Sequence, residues 1–428
     1  MSQRPSARFF ERQDWTALAV ALALDVPLTF LGYGSDNDTF MALDSGRLLL
    51  ERHRYVPSRN PGYFAYELTT GLLSRLGGSL LTNWGTLVVS LGIVALFLRI
   101  CRRFDVPHRG WLATIMIVQP YFWSASTCTM DYNWAIFFLM AGFVCLLNDR
   151  RIPAGALLGL AIGMRLSSFI GAGVFLGHAW ISDRDSRRRT AVAGAITAAI
   201  GAALYWPPFR WAGYTLKFIE PGIGGDEFWT PMLRLGRWVY KNVYFWGLPA
   251  TITLAALTVL ATRNWRAFRN GNSLSITLIS LAMIAGYEAL YLKYPIQPDY
   301  LLPMLPFALL PLGIACRGRP GWLATLLVAV ALGAAARFNV AQPIIRGVGA
   351  VGARYGLWLE ESFFIYELRF RSRLKHCDSF DCWRQTPRPE PLGIKIFELG
   401  AMRPSDPDPP PTGPAPLPSP SNGAASGR

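Results

Sequence analysis

Apolar segments of about 20 residues recur along this chain from Trp15 to Ala336. A helix of that length crosses the roughly 30 Å of hydrocarbon in a bilayer, and it satisfies its own backbone groups there. Only 16% of the residues are charged, against about 25% in an average soluble domain. The pattern predicts an all-α polytopic membrane protein. The predicted spans are 15–33, 82–100, 111–127, 132–147, 152–181, 190–206, 243–262, 273–292, 298–315 and 321–336.

The net charge of +15 is concentrated between these spans. In a soluble protein such an excess would suggest nucleic acid as a partner. Here the arginines lie in short connectors, which the positive-inside rule places in the cytoplasm. The connectors are "RICRRF", "NDRR", "SDRDSRRR", "TRNWRAFRN" and "CRGRPG". We therefore expect no nucleic-acid partner, and the Ala, Gly, Arg and Pro usage suits a bacterial inner membrane.

Residues 152–181 form one apolar stretch that is too long for a single crossing. As one helix it would measure about 45 Å, and it would place two basic connectors on opposite sides of the membrane. Two short helices with a turn at "GMRLSS" resolve both conflicts, and they put Arg165 at the turn. The count is then about eleven transmembrane helices, with the N-terminus cytoplasmic and the C-terminus extracytoplasmic.

The chain divides into four segments by composition. They are a cytoplasmic N-terminus (1–14), a transmembrane domain (15–337), an extracytoplasmic tail segment (338–402) and a disordered Pro-rich tail (403–428). Cys377 and Cys382 could form a disulfide if the tail faces an oxidising compartment. In the first long loop, "FMALDSGRLLLERH" has helical spacing and predicts an amphipathic helix on the membrane surface.

Asp36 and Asp38 stand where the chain leaves the first span. A carboxylate at the mouth of a membrane cavity can take a proton from an acceptor hydroxyl. The alternative is structural, because aspartate favours helix N-caps and Asp38 precedes "TFMALDSGRLLL".

Arg165 is the strongest single signal, because an arginine inside an apolar stretch costs several kcal/mol unless it is paired or hydrated. A guanidinium suits a phosphate in charge and geometry, and the alternative is a salt bridge to an acid on the outer side. Asp131 in "TMDYNW" is either a helix cap or a second carboxylate for a metal ion or an acceptor.

Three further ionisable residues lie at the outer edge of the spans. Arg59 in the turn "VPSRNPGY" could contact an anion, and Glu288, which lies one turn inside its span, could bind substrate. Lys293 at the lip could bind substrate or simply extend to the interface. The prolines of "DYLLPMLPF" predict a bent helix that lines a cavity.

Four elements occur in an order that resembles the GT-C superfamily of membrane glycosyltransferases, which use polyprenyl-phosphate sugars and include protein O-mannosyltransferases and aminoarabinose transferases. These elements are the acidic first loop "SDNDTFMALDSGRLLLE", the turn "PSRNPGY", the stretch "GLAIGMRLSS" and "DYLLPMLPF". The resemblance implies that Asp38 is the catalytic base with Asp36 second, and that Arg165 holds the lipid phosphate. Asp131 stands where some relatives place an acid.

Asp299 departs from this pattern, because relatives often carry arginine at that position. Lys293 or Arg59 would then have to supply the missing phosphate contact.

The expected reaction moves a sugar from a polyprenyl-phosphate carrier to an acceptor on the extracytoplasmic face, with membrane lipid as a partner. Two alternatives remain: a transporter or flippase with similar buried ions, and an inactive scaffold whose Pro-rich tail recruits partners. The sequence leaves open the sugar, the acceptor, a divalent-metal requirement and the oligomeric state.

Overall fold

The structure, a computed structural model, describes residues 11–216, 231–269, 271–346 and 349–399. Helices dominate it. They are α1 (Arg12–Asp25), α2 (Asn37–Arg52), α3 (Phe64–Arg103), α4 (Arg109–Val118), α5 (Pro120–Ala125), α6 (Asp131–Leu147), α7 (Arg151–Met164), α8 (Ser168–Ser182), α9 (Arg187–Trp211), α10 (Pro231–Trp246), α11 (Leu248–Arg263), α12 (Gly271–Lys293), α13 (Leu305–Ala315), α14 (Gly321–Ala335), α15 (Phe363–Arg373) and α16 (Phe380–Gln385).

The chain is mostly helical but not all-α as the sequence predicted, because three strands follow the last apolar helix. Strands β1 (Ala336–Arg346), β2 (Gly349–Glu361) and β3 (Gly393–Leu399) form one sheet with β2 in the centre. In β3 the order Ile394, Lys395, Ile396 alternates with the two-residue period of a strand. Because its apolar residues alternate with polar ones, this strand contains no long apolar segment that would mark it in the sequence.

Four helical segments of the described chain are long and apolar enough to cross a membrane. They are Phe64–Arg103, Arg187–Trp211, Gly271–Lys293 and Pro298–Ala315. The bent pair α10–α11, with 97° between its helices, makes up to five, and several apolar helices of 10–17 residues are shorter. The multi-pass helical character is thus confirmed, while the count of eleven stays a prediction.

The break at Arg165 is confirmed. Helix α7 ends at Met164 and α8 begins at Ser168, with Arg165 in an extended conformation between them (φ −155°, ψ 120°). The predicted helix of the first loop is present as α2, which buries Phe40 and Leu43 on one side.

The described residues fall into two compact units. The first, here called the helical unit, comprises residues up to Arg337 together with Glu360–Leu392, and the second contains Phe338–Leu359 and continues from Gly393. The boundaries proposed from composition stay a prediction, but residues 360–392 of the tail segment belong to the helical unit. The Pro-rich tail 403–428 lies outside the described residues, as do residues 1–10 of the N-terminal segment.

Helix α15 is fixed to the membrane helices through one buried arginine. Arg371 is 1% exposed and donates to the carbonyl oxygens of Thr127 (2.8 Å) and Leu28 (3.0 Å). The predicted Cys377–Cys382 disulfide is present just after this helix. The tail segment is therefore anchored beside the start of the first loop.

Helices α2 and α3 approach each other through two glycines. A Cβ atom on Gly46 would lie 2.5 Å from the carbonyl oxygen of Glu67 and 2.8 Å from the Cα of Gly71. A Cβ atom with contacts this short would force the two backbones apart. The position of α2, which carries Asp38, therefore depends on glycine at residue 46.

We expect Gly46→Ala to lower the free energy of unfolding by about 1–3 kcal/mol, as overpacking does. The measurement is thermal unfolding of the purified protein in detergent. Gly177→Ala in α8 is the matched control, because a Cβ atom there meets nothing within 4 Å. Equal melting temperatures for the two variants would contradict the close approach of α2 and α3.

Candidate active site

The centre of the site is a buried carboxylate shared by two arginines. Asp131, the first residue of α6, is 0% exposed. Its Oδ1 accepts a hydrogen bond from Nη2 of Arg59 (2.8 Å), and its Oδ2 accepts one from Nη1 of Arg165 (2.6 Å). The helix dipole also favours a negative charge at this N-terminus. Both carboxylate oxygens are thus engaged by guanidinium groups.

Asp38 extends this arrangement by one more charge. Its Oδ2 lies 3.2 Å from Nε of Arg59, so carboxylate and guanidinium groups alternate from Asp38 to Arg165. Burial alone would lower the pKa of Arg59, but the carboxylates of Asp131 and Asp38 raise it above its usual range. Two positive and two negative groups compensate one another, as buried charges must.

Asp36, and not Asp38, is the N-cap of α2. Its Oδ1 accepts a hydrogen bond from the backbone N–H of Asp38 at 2.9 Å, so the structural alternative suggested for Asp38 is wrong. Asp38 lies in the first turn, where its carboxylate reaches Arg59. Burial and the neighbouring Asp38 carboxylate raise the pKa of Asp36 to about 6.

The turn that carries Arg59 is held by a buried acid that the sequence analysis missed. Glu67 is 0% exposed and accepts hydrogen bonds from Tyr55 Oη (2.7 Å) and from the Ser58 backbone N–H (2.8 Å). The signal in the sequence is the acid in "FAYEL", at the start of an otherwise apolar helix. Glu67, which lies on α3, thereby holds the turn that carries Arg59 against this helix.

Arg165 lies among three aromatic rings. Its guanidinium carbon is 3.9 Å from the ring centroid of Tyr132, 5.0 Å from that of Tyr300 and 5.7 Å from that of Tyr63. Cation–π attraction is strongest where water is excluded, and Arg165 is 5% exposed. The salt bridge foreseen as its structural alternative exists, and it occupies one of the three nitrogens of Arg165 within the described part of the chain.

A large cavity, here called the arginine cavity, opens beside Arg165. It has a volume of about 320 Å³, and Arg165 and Lys293 both line it. The rest of its wall is mainly apolar and aromatic. These residues include Leu166, Phe169, Tyr287, Leu290, Ile296 and Tyr300. The cavity combines a cationic end with an apolar wall.

A second, much smaller pocket, here called the acidic pocket, has a volume of about 30 Å³. Asp36, Asp299 and Glu367 line it. Tyr132 lines it as well, and the ring of Tyr132 lies against the Arg165 guanidinium. One side chain thus contributes both to the acidic pocket and to the surroundings of Arg165.

Glu288 is not brought to the arginines. Its Oε2 accepts hydrogen bonds from Trp238 Nε1 (2.7 Å) and Asn242 Nδ2 (3.1 Å), both on α10. This carboxylate ties α10 to α12, and its suggested role in substrate binding stays a prediction.

The described residues contain no group of three or more His, Cys, Asp or Glu side chains placed to hold a metal ion. Asp131 in particular directs both oxygens to arginines.

The fold is similar to that of ArnT in two crystal structures. The crystal structure of ArnT from Cupriavidus metallidurans in the apo state superposes with a TM-score of 0.52 at 14% identity, over 71% of this chain and 59% of that one. The structure of the same protein bound to undecaprenyl phosphate gives 0.53 at 15% identity, over 76% and 64%. This chain thus spans under two thirds of the length of ArnT.

Residues 60–287 match the profile of Glycosyltransferase family 87. This region is more than half of the chain and contains Asp131 and Arg165. The chain therefore belongs to Glycosyltransferase family 87, and the resemblance to GT-C membrane glycosyltransferases is confirmed. A search of curated protein sequences finds no match.

We expect Asp131→Asn to lower the free energy of unfolding by about 3–5 kcal/mol, because it leaves two buried guanidinium groups without their shared counter-charge. Thermal unfolding in detergent measures the loss. Asp149→Asn is the control, since Asp149 also pairs with two arginines, Arg151 and Arg189, but is 49% exposed. Its loss should stay below about 1 kcal/mol, and equal losses would show that the buried network adds nothing.

Proposed function

We propose that this protein transfers a sugar from a polyprenyl-phosphate carrier to an acceptor on the extracytoplasmic face of a bacterial inner membrane. The observation that carries the proposal is the arginine cavity, where a buried guanidinium closes a large apolar space. Family membership supports sugar transfer, and the undecaprenyl phosphate bound to ArnT supports a lipid phosphate as ligand.

The donor has an apolar chain and an anionic phosphate, and the arginine cavity has a suitable surface for each. A polyprenyl chain is apolar and suits the wall formed by residues such as Leu166, Phe169 and Leu290. Its phosphate is anionic and suits the remaining nitrogens of Arg165. Lys293 lines the same cavity and can supply the contact that Asp299 does not, whereas Arg59 is already bound to two carboxylates.

Asp38 is the proposed general base. Its side chain is 15% exposed and is held by Arg59, so it is oriented and still accessible. It would take the proton from an acceptor hydroxyl, whose oxygen forms the new bond to the anomeric carbon while the bond from that carbon to the phosphate oxygen breaks. The leaving group is polyprenyl phosphate, and Arg165 would stabilise the charge that it gains.

We expect Asp38→Asn to reduce transfer by about 10²- to 10⁴-fold, the usual contribution of a general base. The assay follows release of a labelled hexose from polyprenyl-phosphate hexoses by the purified protein. Glu51→Gln, at the exposed end of α2, is the matched control and should keep full activity. Full activity in Asp38→Asn would exclude Asp38 as the base, and solute uptake without sugar release in the wild type would favour a transporter.

Substitution of Arg165 and of Lys293 should affect different kinetic constants. Arg165→Gln should lower kcat about 10²- to 10³-fold, since its charge acts on the leaving group. Lys293→Gln should mainly raise the KM for the donor, because the lysine lies at the edge and contributes to binding. Lys375→Gln, an exposed lysine of the tail, is the control. An unchanged kcat in Arg165→Gln would remove the arginine from the reaction.

A further inference from the structure

The disulfide loop of the tail segment lies on the helix that carries the proposed base. Cys377 and Cys382 are bonded to each other, and helix α16 begins inside the loop that they close and packs against α2. Residues 377–383 are here called the tail clip. They lie outside residues 60–287, the region that matches the family profile. The contact between the tail clip and α2 is therefore a feature that the family match does not account for.

Hydrogen bonds join the tail clip to α2 and to the residue that leads into this helix. The indole N–H of Trp383 donates to the carbonyl oxygen of Ser35 at 2.8 Å. The backbone N–H of Phe380 donates to Oδ2 of Asp44 at 3.1 Å. The tail clip thus contacts α2 just before its first residue and again about two turns further along.

Apolar side chains fill the space between the tail and α2. Phe40 and Leu43 of α2 belong to a buried cluster that includes Cys377, and Trp383 is partly buried against this cluster. The rings of Phe380 and Trp383 stack with their centroids 5.5 Å apart. The indole that binds Ser35 is therefore held by hydrophobic contacts as well as by its own hydrogen bond.

The tail clip is itself fixed to the membrane helices through α15. Arg371 near the end of α15 is anchored to Thr127 and Leu28. From there the chain turns into the clip, where the Cys377 N–H donates to the carbonyl oxygen of Leu374 at 2.9 Å. The disulfide joins residues only five apart, and a short loop gains little global stability from being closed. We therefore expect the disulfide to act locally, on the shape of the clip.

Ser35 connects the tail clip to the proposed base. It directly precedes Asp36, the N-cap of α2, whose Oδ1 accepts a hydrogen bond from the backbone N–H of Asp38. Oδ2 of Asp38 in turn lies 3.2 Å from Nε of Arg59. A shift of the residues before α2 would move the Asp38 carboxylate relative to Arg59 and to an acceptor hydroxyl. A misplacement of about 1 Å can reduce a rate about 10²-fold.

We propose that Trp383, held by the Cys377–Cys382 disulfide, is a positioning residue for the general base Asp38. This inference rests on the function proposed above and adds a contribution of the tail segment to the same site. Trp383 acts through the backbone at Ser35, so it determines where the base stands without contacting the substrate. The tail segment is then part of the catalytic unit and not an appendage to it.

The test is a double-mutant cycle that follows release of a labelled hexose from polyprenyl-phosphate hexoses by the purified full-length protein. Trp383→Phe removes the indole N–H and keeps an aromatic ring. It should lower kcat about tenfold and leave the KM for the donor unchanged, because other segments line the arginine cavity. In the Asp38→Asn background the same substitution should cause no further loss, since no base remains to be positioned. Trp265→Phe, at a tryptophan that is 53% exposed, is the matched control and should keep full activity.

The double variant Cys377→Ser, Cys382→Ser tests the disulfide. It should lower kcat as Trp383→Phe does, and again only when Asp38 is present. Melting temperatures of all variants are measured alongside and should change little. Full kcat in Trp383→Phe would overturn the proposal. Equal losses with and without Asp38 would also overturn it, because they would show a general effect on the fold.

Hydrogen exchange separates this inference from the proposed function, because it requires no activity. Mass spectrometry should show severalfold faster amide exchange across residues 35–44 in Trp383→Phe than in the wild type, with α12 unchanged. A wild type that releases no hexose from any donor would contradict the proposed transfer reaction. Faster exchange in the variant would then still support the tail clip as the element that holds the start of α2, and unchanged exchange would overturn it.

Discussion

The Asp131 carboxylate, with one arginine on each oxygen, is the interaction on which the rest of the site depends. It joins the start of α6, the turn before α3 and the break between α7 and α8 at one buried point. Without it the buried guanidinium of Arg165 would have no counter-charge, which is strongly unfavourable. The Asp131 carboxylate therefore holds all three segments together.

Charge is segregated around this point. The cations Arg165 and Lys293 line the arginine cavity, while Asp36, Asp299 and Glu367 line the acidic pocket. Asp299 lines this acidic pocket and not the arginine cavity.

Several of these features follow from the sequence because a physical conflict forces them. The break at Arg165 is predictable, since 152–181 is too long for one crossing and its flanking connectors are both basic. The acids at 36, 38 and 131 are visible as charges at span ends. Their pairing is not visible in the sequence, because Asp131 is far from Arg59 and Arg165 in the chain and meets them only in the folded structure. Both aspartates are good N-caps, so the sequence alone leaves Asp38 open as the cap, and only the backbone path selects Asp36.

The tail was the least predictable part. Its strands are short and contain no long apolar segment, so the hydropathy pattern does not reveal them. Glu367 lies in "FFIYELRFRSR", where an acid among aromatic residues is the one hint of burial, and its neighbours from α5 and the first loop are fixed only by the fold.

The most direct test of the account is an experimental structure of the protein with bound polyprenyl phosphate, determined in a lipid nanodisc. We expect the phosphate to contact the free nitrogens of Arg165 in the arginine cavity, with Asp131 still bridging Arg59 and Arg165. A phosphate bound elsewhere, with Arg165 closed off by protein side chains, would contradict the central claim.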